Sequence, residues 1–218
     1  MRIVSVNVGQ PREFVLQDRT VLTSIVKRPV QGRVAVRGHN VEGDRQADPR
    51  VHGGPYKAVY AYASEHYAAW FEELPDAELD WGAFGENLTL EGLTEVQACI
   101  GDRYQVGSAL LQITQPRMPC FKLNLRFERS DMVKRFWRKG LSGIYFAIAE
   151  EGELGAGDEI ALACREPDSI SVADVVRLYK GETHDNDLFE RMLEAPLRGS
   201  WKQEIRERWE SRAMPLFP

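Results

Sequence analysis

Cysteine is scarce and badly placed for cross-linking. Cys99, Cys120 and Cys164 are the three in 218 residues; being odd in number and far apart, they exclude a disulfide framework and a CxxC zinc pattern. Any thiol chemistry rests on one cysteine. Long apolar runs are also missing: no uncharged stretch approaches the ~18–20 residues a membrane span needs, and the leading MRIVSVNVGQ lacks a secretory pattern. A soluble, cytoplasmic protein with no membrane attachment is expected. The net charge of −5 argues against stable nucleic-acid binding. Positive charge is absent from Asp76 to Asp102, where seven acids stand without a Lys or Arg, and is gathered from Arg117 to Lys139, where eight Lys/Arg meet two acids. Residues 129–139 read as a solvated helix face. Arg117 and Lys122, however, flank Cys120 too closely to be set aside.

What the chain does have is 43% hydrophobic and 28% charged residues, enough for one sizeable core with a small appendage. Short β-branched and aromatic segments recur between glycines and prolines: 3–8, 21–26, 33–37, 57–63, 87–90, 103–106, 109–115, 143–149 and 159–163. Many short strands with Gly-rich turns predict a closed or nearly closed barrel, since a long open sheet would leave exposed edges. In IGDRYQVG and LGAGDEIAL a Gly-Asp turn opens a strand. Two helices are expected on the barrel: one capped by Ser64 with Tyr67, Trp70, Phe71 and Leu74 on its apolar face, the other capped by Ser130 or Asp131 and ended by Gly140. Arg165-Glu166-Pro167-Asp168 reads as a linker. Three helices follow it: Ser171 to Gly181 with Asp174 completing a capping box, about Asp185 to Ala195, and Ser200 to Arg212. The expected fold is mainly β with α: a β-barrel domain over 1–166 with decorating helices, and a three-helix domain over 167–218. Fifty residues make a marginal core, so that unit should lean on the barrel or on another subunit, leaving a homodimer open.

Three stretches carry chemistry. In QPRMPCFKLN, Arg117 and Lys122 would lower the thiol pKa of Cys120 while Pro116 and Pro119 stiffen the backbone. A free cysteine is equally often a small buried hydrophobe, the reading taken for Cys99 and Cys164, in apolar strand-like surroundings; for Cys120 the two readings balance. In VEGDRQADPRVHGGPYKAV, Asp44, Asp48 and His52 stand four apart, but the glycines and prolines argue against a helix and so against zinc. Gly53 and Gly54 instead let backbone N–H groups approach an anion, with Lys57 adding charge; a solvated loop is an equal reading. In GAFGENLTLEG no helix follows the glycines, which excludes a nucleotide loop and leaves a polar turn.

Taken in this order, VEGDRQAD…HGGPYKAVYAY, FGENLT and GD…VG…QPRMPCFKL resemble the MOSC domain family, and the added SISVADVV helices resemble its YiiM branch, bacterial proteins linked to 6-hydroxylaminopurine resistance. The resemblance implies a barrel with a pocket for the molybdenum cofactor, molybdopterin, with Cys120 as thiolate ligand and catalytic residue. It also implies reduction of N-hydroxylated bases and related compounds with electrons from a separate flavin reductase. The motif positions are His52, Gly53, Gly54 and Lys57; Gly85, Glu86 and Asn87; and Pro116, Arg117, Pro119 and Cys120. Arg117 and Lys57 form the expected cationic cradle, and His52 and Asn87 are expected to hydrogen-bond cofactor or substrate. Glu86 reads as a proton donor or a structural acceptor. Eukaryotic amidoxime-reducing relatives carry an additional N-terminal barrel that this chain lacks, which implies weak cofactor retention. The alternative is a persulfide carrier or a cofactor-binding module without turnover of its own.

Overall fold

The computed structural model describes residues 1–16, 18–48 and 53–211. Alternating burial makes β1 (Arg2–Val8) a central strand, with Ile3, Ser5 and Val6 turned inward. It belongs to an eight-stranded sheet with β4 (Arg28–Pro29), β7 (Val59–Ala63), β8 (Leu88–Glu91), β9 (Arg103–Val106), β10 (Ala109–Pro116), β11 (Ile144–Glu150) and β13 (Ile160–Cys164). Their order is β13-β9-β10-β11-β7-β8-β1-β4. Only the β7–β8 pairing is parallel among those described. A three-stranded sheet joins β5 (Arg33–Arg37), β6 (Asn40–Val41) and β12 (Gly152–Gly155), and β2 (Arg12–Leu16) pairs only with β3 (Arg19–Thr23).

The expected barrel is not closed. The ends of the large sheet approach each other through the Arg2–Glu159 bridge and the bond from Ile160 N–H to the Met1 carbonyl. No continuous ladder joins them. Edge strand β4 has two residues and ends on Pro29, which has no N–H to carry a ladder further. Each of the nine expected strand segments contains a strand, except that 24–26 leave the sheet after Thr23 and 57 lies in a 3-10 turn at Pro55–Lys57; β2, β4, β6 and β12 fall outside the expected segments.

Helices α1 (Glu65–Glu73), α2 (Lys122–Arg126) and α3 (Met132–Lys139) pack beside the sheet. Ser64 precedes α1 without capping it, its hydroxyl donating instead to Glu65. Phe71, assigned to the apolar face, is exposed. Gly140 ends α3 in the left-handed conformation, as expected. An aromatic core of Tyr60, Tyr62, Tyr67, Trp70, Phe84 and Phe136 lies between α1, α3 and the sheet. Helices α4 (Val172–Lys180), α5 (Asn186–Glu194) and α6 (Gly199–Ser211) form the C-terminal unit. Ser171 accepts from Asp174 N–H at 3.0 Å as the expected N-cap, but the Asp174 carboxylate takes the Ser171 hydroxyl at 2.7 Å instead of the backbone N–H of a capping box, and α6 starts at Gly199 and takes Ser200 inside the helix. Val172, Val175, Leu178, Met192 and Ile205 share one apolar cluster with Ile100, Tyr104 and Ile113, so the unit leans on the sheet. Cys99 is buried, but Cys164 is exposed: it ends β13 at the sheet edge.

Candidate functional site

The site lies where β10 ends. Pro116 pairs with Ile144 and cannot donate further, and Arg117-Met118-Pro119-Cys120 leads into the short α2. Arg117 turns inward and is 7% exposed. Its Nη1 donates to the Phe84 carbonyl, and its guanidinium lies 4.5 Å from the Tyr60 ring centre and 5.5 Å from that of Phe136. Burial opposes its charge, but an arginine is basic enough that the guanidinium stays protonated all the same. No carboxylate pairs with it among the described residues. Burial holds the Tyr60 and Tyr145 phenols above their usual range, so both are neutral.

Around this cation opens a small cleft of about 90 Å³. It is lined by Thr23, Ser24 and Ile25 from the segment after β3, by Lys27 and Asp44, by Lys57 and Tyr60, by Gly85 and Asn87, and by Arg117, Met118, Cys120, Lys122 and Tyr145. Cys120 is half-buried, with its carbonyl accepting from Leu123 N–H at 2.9 Å. It interacts electrostatically with both Arg117 and Lys57. Lys57 is half-buried; burial first, and then Arg198 from the C-terminal unit, lower its pKa, with Cys120 opposing them. Lys27 is 8% exposed, and its ammonium meets Asp44 Oδ1 at 2.5 Å. Asp44 Oδ1 also accepts from Gly9 N–H at 2.7 Å. Burial lowers the Lys27 pKa, while Asp44 counteracts it.

The structure brings Lys57, Asn87, Arg117 and Cys120 together but separates other motif residues. Asn87 borders the cleft with its amide already used: Oδ1 accepts from Tyr60 N–H at 3.2 Å and Nδ2 donates to the Asn7 carbonyl at 3.3 Å. Glu86 is fully buried behind the cleft wall. Its carboxylate accepts from Gly82 N–H at 2.8 Å, Phe84 N–H at 3.1 Å, Thr89 Oγ1 at 3.1 Å and the Tyr67 hydroxyl. Burial raises its pKa and these donors oppose the rise. It therefore folds the 82–86 loop as a structural acceptor. Gly85 takes φ +82° and a Cβ there would stand 3.0 Å from Ile25 Cγ1, so only glycine fits this close approach. Gly54, at φ +83°, starts the 3-10 turn that presents Lys57. Neither Gly53 nor Gly54 borders the cleft. His52 lies outside the described residues.

Lys27, Tyr60 and Tyr145 were not singled out from the sequence. Lys27 had one signal, a lysine closing the apolar run Ile25-Val26 immediately before Arg28-Pro29. Among the described residues no group of three or more His, Cys, Asp or Glu could hold a metal ion, and no helix is long and apolar enough to cross a membrane.

A buried guanidinium, three lysines and one thiol thus line an open cleft at a sheet end. The MOSC domain model matches residues 48–161, and the chain belongs to the MOSC family. It is 39% identical to YflK of Bacillus subtilis over 215 residues, 98% of this chain and 96% of that one. The structure of YiiM from Geobacillus stearothermophilus is 36% identical and superposes with a TM-score of 0.77 over 95% of this chain and 98% of that one, which makes the fold YiiM-like. A Gibberella moniliformis protein named Reductase is 34% identical over 212 residues, 96% of this chain but 37% of its own length.

Proposed function

We propose that the chain is a molybdenum-cofactor-dependent oxidoreductase that reduces N-hydroxylated bases and related compounds with electrons from a separate flavin reductase. The observation that carries this reading is the buried, charged Arg117, without a carboxylate partner among the described residues, in one cleft with the half-buried Cys120. A buried cation lacking its counter-ion is costly unless an anionic ligand completes it. The donor set suits a metal that arrives with its own chelating ligand: one thiol and no cluster of three ligands cannot hold a bare ion among the described residues. Arg117, Lys57 and Lys27 would hold the phosphate of molybdopterin, and Cys120 Sγ would be the protein's ligand to molybdenum. That the Gibberella relative is named a reductase, and carries this module within a longer chain, supports electron transfer with a companion.

When bound, the cofactor would supply the two-electron chemistry. The balance is one N–O bond broken, one N–H bond formed and one water released, for two electrons and two protons. Glu86 has both carboxylate oxygens engaged away from the cleft, so it does not deliver a proton to a molecule bound there. Tyr60 and Tyr145, held neutral, wall the cleft and orient Arg117.

The test is molybdenum content together with flavin-reductase-coupled turnover of an N-hydroxylated base, on protein purified from cofactor-making cells without stripping steps, since the cofactor is expected to be weakly held. Metal and turnover should appear together and vanish together in Cys120→Ser. Protein without molybdenum but with a labile extra sulfur on Cys120 would instead make the chain a persulfide carrier.

A further inference from the structure

A phenol drawn into a fold rarely leaves its hydroxyl idle, because a polar group taken out of water costs free energy until it is hydrogen-bonded. This chain has seven tyrosines. Tyr60 donates to the Ser142 carbonyl at 3.0 Å, Tyr67 to Glu86, Tyr104 to Asp102 at 3.3 Å and Tyr179 to Glu204, while the Tyr62 hydroxyl accepts from Trp70 Nε1 at 2.7 Å. Tyr56 is exposed to water. Tyr145, half-buried in the cleft wall, is left as the one whose hydroxyl has no hydrogen-bond partner among the described residues.

The backbone holds this side chain from both sides. β11 lies between β7 and β10, with Tyr145 opposite Tyr60 on the first and Gln115 on the second. The Tyr145 carbonyl takes the Thr114 hydroxyl at 3.0 Å, and its ring centre stands 5.1 Å from that of Tyr60. Gln115 is not the missing partner, since its own Oε1 is unpaired as well. The phenol lies near enough to Arg117 and Cys120 for the charge of each to act on it, yet among the described residues no hydrogen bond joins it to either. Arg117 and the lysines answer to an anion. A neutral hydroxyl beside the thiol answers to an uncharged acceptor atom instead. In the reductase reading the substrate differs from its product by one oxygen on nitrogen, and that oxygen comes to the metal beside Cys120.

We propose that Tyr145 is a substrate-binding residue whose hydroxyl donates to the oxygen of the N-hydroxyl group, so that the cleft selects molecules bearing that oxygen over the amines they become. The proposal rests on the oxidoreductase reading, which brings the N–O bond to this wall. A site built to hydrogen-bond a substrate hydroxyl holds the analogue lacking it less tightly, which here favours release of the amine.

The dissociation constants of 6-hydroxylaminopurine and of adenine, its amine counterpart, test this by equilibrium dialysis on protein purified from cofactor-making cells and kept oxidised, so that neither purine reacts. Wild type should bind 6-hydroxylaminopurine more tightly than adenine. Tyr145→Phe, which removes only the hydroxyl, should weaken the first about three- to tenfold, the worth of one neutral hydrogen bond, and leave adenine binding and molybdenum content unchanged. The KM for reductase-coupled turnover of 6-hydroxylaminopurine should rise with it. Tyr104→Phe, which strips a hydroxyl already given to Asp102 and away from the cleft lining, should alter neither affinity. Equal losses for both purines, or no loss for either, overturn the proposal. So does a Tyr145→Phe protein that loses molybdenum, because the hydroxyl would then be a cofactor contact. The dialysis needs no turnover: a wild type that never reduces 6-hydroxylaminopurine sinks the oxidoreductase reading, while the two affinities still decide the residue.

Discussion

Lys27 and Asp44 form a buried pair that the fold needs as much as the site does. Asp44→Asn leaves an ammonium at 8% exposure without its counter-ion. Breaking one side of a buried pair costs roughly 3–5 kcal/mol, so urea unfolding should show a loss of that order. Glu86 gives a pH signature. Its folded pKa lies above the ordinary 4.5, so the unfolded chain releases this proton first as pH rises. Between 4.5 and the raised folded value the native state binds more protons, and the group's contribution to stability falls with rising pH. Glu86→Gln removes this titration. Whatever constant cost the lost acceptor brings, the advantage of wild type over the variant should shrink as pH climbs above 4.5, measured by denaturant unfolding at several pH values. Arg117, Lys57 and Cys120 were legible in the sequence because a cation beside a thiol between prolines, and a lysine behind a Gly-Gly turn, each have a local chemical reading. Lys27, Tyr60 and Tyr145 were not, because their neighbours come from distant segments. The Glu86 carboxylate faces the loop it folds, a direction that no spacing reveals.

At the scale of elements, the 82–86 loop is the part that shapes the cleft wall. Gly85→Ala adds a Cβ 3.0 Å from Ile25 Cγ1 at φ +82°, where an L side chain is strained by about 1–3 kcal/mol. The variant should lose stability of that order and bind the cofactor more weakly, since Ile25 and Gly85 border the same cleft. Ser171→Ala removes the cap of α4, on the far side of the chain from the thiol in sequence, and should cost about 1 kcal/mol in thermal or urea unfolding with turnover unaltered. Strand positions read well because alternation and glycine turns are local signals. The helix capped by Ser171 did too, because Ser171 and Asp174 meet within one turn. The Ser64 cap failed because its hydroxyl found Glu65 instead, and Phe71 was misassigned because α1 turns only Tyr67, Trp70 and Leu74 onto the aromatic core.

For the molecule as a whole, the C-terminal helices and the sheet share one apolar cluster. A chain ending at Glu166 would expose Ile100, Tyr104 and Ile113, so it should bind a hydrophobic dye and lose cooperative unfolding rather than persist as a stable module. Barrel closure was the one architectural expectation that failed, and it failed at Pro29, where a two-residue edge strand runs out of donors. The union of three motif stretches around one cleft was legible only as a resemblance, because the strands that carry them are far apart in the chain. The central claim is that Cys120 Sγ binds molybdenum in that cleft. Molybdenum K-edge X-ray absorption on freshly purified wild type and on Cys120→Ser held in excess added cofactor, to offset its weaker retention, tests it most directly. The account predicts that the variant loses one sulfur from the metal's coordination shell; an identical sulfur shell in both proteins would contradict it.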